Sequence, residues 1–140
     1  MIFPVWMLLG FSVWTIVLLL GTVGVYRWSR ILTGRTEIGE FRADVVTGSD
    51  WYLRAMRAHA NCVENLPVFG AIVFAIYASG LSSNTVNGLS AAVLVARVCQ
   101  STVHVTMRQS NSVVTVRFVL FFIQLLSFLA LAITLAYHLL

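Results

Sequence analysis

The chain has 140 residues, of which 59% are hydrophobic and 10% charged. A soluble surface needs far more charge, roughly a quarter of all residues, so one membrane domain is the default reading. The formal net charge is +4 and the nine cationic residues are all arginine. With no lysine-rich tail and no basic stripe among exposed aromatics, the charge reads as membrane topology plus a site, and nucleic acid is excluded as a partner. Cys62 and Cys99 both fall in apolar segments, without CxxC or zinc spacing, and read as small buried filler with no metal site.

The first apolar run, about residues 2–26, carries no charge. Its arginines, Arg27 and Arg30, follow the run instead of preceding it, so it reads as a retained transmembrane helix and not a signal peptide. A polar loop extends from residue 27 to about 52, punctuated by Gly34, Gly39 and Gly48. The second span covers about 52–81, polar on one side in its first half. A short uncharged turn leads to a third span at about 86–107. The turn 108–112 precedes a fourth span at about 113–140. The expected fold is therefore an all-α, four-helix membrane bundle in one domain. The arginines sit in the first loop and the 108–112 turn, which places those segments in the cytoplasm and both termini outside it.

Ionisable groups inside a bilayer usually face the bundle interior and mark function. At about 100° per residue, Arg54, Arg57, Asn61, Glu64 and Asn65 share one third of the second helix. Arg97, Gln100, Ser101, His104 and Arg108 form a matching stripe on the third. Arg117 lies on the face of Gln124 on the fourth. Counted along the helices, Glu64 is about 25 Å from the uncharged side, Arg97 about 15–20 Å and Arg117 about 35 Å. These depths suggest one pocket, open to the cytoplasm, rich in cationic donors and suited to a small polyanion. Two readings stand side by side. Glu64 neutralises Arg97 or Arg57 within the bundle, or the residues hold a ligand; one carboxylate cannot neutralise three arginines, which favours a missing anionic partner. Arg54 and Arg108, near span ends, read as snorkelling to headgroups. His104 is either a satisfied interior histidine or part of the site. His59 sits on the other side of its helix from Asn61.

The segment Arg57-Ala58-His59-Ala60-Asn61-Cys62-Val63-Glu64-Asn65-Leu66-Pro67 resembles the second-helix signature of the MAPEG family, membrane-associated proteins in eicosanoid and glutathione metabolism. The pattern Arg-Ala-x-x-Asn-x-x-Glu followed by Pro is specific in a chain of this size, and its Glu-Asn-Leu-Pro form is similar to the bacterial branch. The resemblance implies a homotrimer, in a bacterial inner membrane, with glutathione as co-substrate between adjacent subunits at the cytoplasmic end. It implies that Arg57, Asn61 and Glu64 hold the tripeptide, Glu64 meeting its ammonium and Arg57 a carboxylate. Arg97 and His104 would line the same site, and Arg27 would reach across from the neighbouring subunit. Arg117 resembles the family arginine that stabilises the thiolate, since a cation beside a thiol lowers its pKa. Two positions depart from the pattern. Gln100 and His104 stand where relatives carry tyrosines, and Phe118 stands where the prostaglandin synthase has serine, which disfavours prostaglandin isomerisation. The function implied is a glutathione transferase conjugating the thiolate to lipophilic electrophiles dissolved in membrane lipid, with peroxidase activity toward lipid hydroperoxides beside it. A non-catalytic lipid- or glutathione-binding scaffold is the alternative.

Overall fold

The computed structural model describes residues 3–42 and 44–140, so the expected start of the first span at Ile2 lies outside the described residues. The first helix begins as α1, Phe3–Leu18, widens into a π-helical turn, Leu19–Gly24, and continues as α2, Val25–Leu32. The remaining spans are α3, Asp50–Ser79, α4, Asn84–Thr106, and α5, Asn111–Leu139. All four units are long and apolar enough to cross a membrane, and the protein is an integral membrane helical bundle. The first unit runs to Leu32, beyond the sequence expectation of residue 26, because Val25–Leu32 is amphipathic: it keeps helical geometry on the polar side of the membrane.

Three helices start on the same device. Ser49, Ser83 and Ser110 accept, through Oγ, the backbone N–H of Tyr52, Val86 and Val113 at 3.3, 3.2 and 3.3 Å. A serine in that position satisfies one of the first turn's unpaired donors. At its far end α3 stops at Gly80, whose φ of 70° is left-handed backbone that a glycine adopts without steric cost. Pro67 lies inside α3 without ending it, on the exposed side.

The core is apolar at its centre. Phe69 of α3 packs against Phe11 of α1 and Phe128 of α5, each pair 5.9 Å between ring centroids. Val73, Val86, Val93 and Leu131 continue this layer, all at 1% exposure or less. The helices are also tied by polar contacts, among them Trp14 Nε1 to Ser101 Oγ at 2.8 Å.

The π turn sets the register of everything beyond it. Pro4, Phe11, Thr15 and Leu18 bury one face of α1. At about 100° per residue, an unbroken α-helix would carry that face on through Thr22, Val25 and Ser29. A single π turn accommodates one extra residue. The buried position accordingly moves to Val23, at 3% exposure, while Val25 is 58% exposed. Tyr26 and Arg27 turn toward α3 and Trp28 turns outward. The Tyr26 ring stacks on Tyr52 with centroids 4.1 Å apart, and Arg27 Nε donates to Tyr52 Oη at 2.8 Å. Gly48 completes this corner: a Cβ there would lie 2.6 Å from the Tyr52 ring and 3.1 Å from the Tyr26 hydroxyl. In the loop, Arg42 donates to both carboxylate oxygens of Asp44 and holds that carboxyl below its ordinary range.

Candidate functional site

Between α3, α4 and α5 lies a cleft of about 270 Å³ lined by Asn61, Gln100, Val114, Arg117, Phe118 and Phe121. Each helix brings one polar residue, and α5 adds the apolar wall. Gln100 Nε2 donates to the carbonyl of Arg117 at 3.1 Å, locking α4 to α5 beside the cleft. Gln100 Oε1 and Arg117 Nε are buried and have no hydrogen-bond partner. Buried polar groups are normally paired, so these two point to a ligand.

Cations predominate around the cleft. His104 is 2% exposed, its Nδ1 has no partner, and the ionised groups around it are Arg117, Arg57 and Arg54. Arg57 is also the charged neighbour of Arg117. Arg54 is ion-paired with Asp50 of the preceding turn. Among the described residues no carboxylate pairs with Arg57, Arg97 or Arg117. Cations gathered in a membrane protein without counter-charge favour an anionic partner.

The structure brings Asn61 and Arg117 to the cleft and sets Arg57 and His104 beside it. Glu64 and Arg57 lie on the outer face of α3, exposed from the single bundle together with Ala60, Pro67, Val68 and Ala71. Glu64 is near the middle of α3, about 20 Å from either end. Arg97 is elsewhere. Only 1% exposed, it turns into the core, donates through Nη2 to Gln124 Oε1 and sits 5.8 Å from the Phe11 ring centroid. It joins α1, α4 and α5 and does not line the cleft. Cys62 is buried beside it, whereas Cys99 is exposed on α4, so only the first cysteine is core filler.

Arg27 occupies the other side of α3. Tyr52, its partner, and His59 lie within about 20° of each other around that helix and roughly opposite Asn61. Helix α3 therefore shows one polar side to the cleft of its own chain and another, with Arg27 and His59, away from it. Sequence reasoning missed Tyr52 as the anchor of Arg27 and Gln124 as the anchor of Arg97. The second was signalled by a glutamine in the middle of an apolar span; the first depends on the π turn, which leaves no mark in the composition.

The profile of the MAPEG family matches residues 3–137. No curated protein and no solved structure matches the chain. Proteins of this family are membrane helical bundles that generally use glutathione. A match over the whole chain, on a four-helix membrane bundle, establishes that the chain belongs to the MAPEG family.

Proposed function

We propose that the protein is a membrane-bound glutathione transferase that conjugates the glutathione thiolate to lipophilic electrophiles, with a peroxidase activity toward lipid hydroperoxides. It works as a homotrimer in the bacterial inner membrane, with its termini outside the cytoplasm. One observation carries this reading: the cleft lined by Asn61, Gln100 and Arg117 holds two buried polar atoms without partners, and no carboxylate is paired with Arg117 or with its cationic neighbour Arg57 among the described residues. A tripeptide with two carboxylates, an ammonium and a thiol answers that set of donors. Arg57 takes a carboxylate, Asn61 an amide, and Glu64 the ammonium. Arg117 lines the cleft with Val114, Phe118 and Phe121, where a cation favours the thiolate over the thiol. Arg97 supports the bundle from within, and Arg27 serves a neighbour's site.

Cost supports an assembly of copies, and the family resemblance supports three. An ionised side chain facing lipid at mid-bilayer is unfavourable by about 2.5–3.5 kcal/mol, and Arg57 and Glu64 face outward in the single chain. A second copy packed on that side of α3 covers both. Calorimetric titration of glutathione into the detergent-purified protein tests the reading. Saturable binding, with thiolate absorbance in the ultraviolet at neutral pH, is the expected result. Binding without thiolate would leave a scaffold, and absence of binding would end the proposal.

A further inference from the structure

The Gln100 amide has a fixed orientation. Its Nε2 is committed to the Arg117 carbonyl at 3.1 Å, a contact that only the NH2 end of the amide can make. Its Oε1 is thereby left as a buried, unpartnered acceptor on a residue that lines the cleft. Arg117, whose guanidinium is a pure donor with Nε also unpartnered, lines the same cleft, together with the apolar wall of Val114, Phe118 and Phe121. One acceptor and one cationic donor in one cleft match a group that both donates and accepts. Among electrophiles that react with a thiolate, aryl halides, epoxides and enones have no donor at the reacting centre. A hydroperoxide carries its own O–H there.

We propose that Gln100 is a specificity-determining residue, its amide oxygen accepting from the O–H of a lipid hydroperoxide and favouring that substrate over aprotic electrophiles. The inference rests on the glutathione reading above. The thiolate sulfur attacks the distal, hydrogen-bearing oxygen. The S–O bond forms as the O–O bond breaks, giving a sulfenic acid and an alkoxide that takes a proton from water to leave as the alcohol. A second glutathione then displaces water from the sulfenic acid. Sulfur is oxidised to the disulfide and the peroxide is reduced. In the first step negative charge moves from sulfur to the proximal oxygen past the same Arg117 cation.

The test compares kcat/KM for cumene hydroperoxide and for 1-chloro-2,4-dinitrobenzene in the full-length protein and in Gln100→Met. The ratio of the first to the second should fall about tenfold, the worth of one hydrogen bond of ordinary strength. An unchanged ratio would overturn the inference, even if both rates dropped together. On the unaltered protein, 2-phenyl-2-propanol should inhibit aryl-halide conjugation several-fold better than its methyl ether, which lacks the donor; equal inhibition would also overturn it. If the parent conjugates the halide but does not reduce the hydroperoxide, this inference and the peroxidase activity fail while the transferase reading stands. If it does neither, the enzyme reading fails with it.

Discussion

Arg117 is held by its backbone as well as drawn by its charge. Its carbonyl accepts from Gln100, so the residue is fixed where α4 meets α5 and its guanidinium is left for the cleft. If that cation stabilises the thiolate, Arg117→Ala should weaken glutathione binding only modestly while the thiol pKa in the complex returns toward the free value of about 8.5. Conjugation at neutral pH should then drop, and part of the loss should return at higher pH, where the free thiol ionises without help. Stopped-flow thiolate absorbance against pH is the measurement, and an unshifted profile would remove Arg117 from the mechanism. Glu64→Gln should act differently, weakening binding by about 1.5–3 kcal/mol, the usual range for a hydrogen bond to a charged group, with little change in the thiol pKa. At this scale the sequence was informative about residue type and poor about direction. Asn61 and Arg117 were legible as site candidates because polar residues at helical spacing must share a face. Arg97 has the same spacing and the same charge as a ligand-holding arginine. That it turns to Gln124 is decided by packing around Phe11, which no spacing on α4 reveals.

At the scale of the element, the four spans were legible because apolar length alone requires them, and the observed helices differ from expectation by a few residues at most ends. The exception is the first, which runs on as α2 past the apolar stretch. The π turn was not legible, since Leu19–Gly24 reads as one more turn of an apolar helix. It yields a sharp prediction. Gly21 is exposed, and a Cβ built there would meet nothing within 4 Å. Deleting it should close the wide turn to ordinary α geometry while Val23 and Arg27 keep their faces, so thermal stability and glutathione affinity should survive. Inserting one alanine at the same place should turn α2 by about 100°, break the Arg27–Tyr52 bond and lower both. The caps give a smaller prediction: Ser49→Ala should lower stability by about 1 kcal/mol, read as a reduced melting temperature in detergent.

For the whole molecule, the family resemblance seen in the sequence and the profile match agree over residues 3–137. The number of copies is a separate matter, because an outward-facing Glu64 is visible only once the helices are packed. Native mass spectrometry in detergent should give a threefold assembly; a monomer that still binds glutathione would refute the shared site. A reporter fused after Leu140 should be active only outside the cytoplasm, as the positive-inside rule predicts from the arginines of the loops, and cytoplasmic activity would reverse the orientation.

Because α3 offers Asn61 to its own cleft while Tyr52 holds Arg27 on the opposite side, each site in a closed ring would draw on two chains, and the two contributions would be genetically separable. Chains carrying Arg27→Ala and chains carrying Glu64→Gln would each form rings in which every site has one lesion. Co-expressed, the two variants would complement each other. Wherever a cleft with Glu64 meets a neighbour with Arg27, an intact site returns, and the adjoining junction in the reverse order collects both defects. Activity recovered by mixing two impaired chains is a property that a site contained within one subunit cannot have.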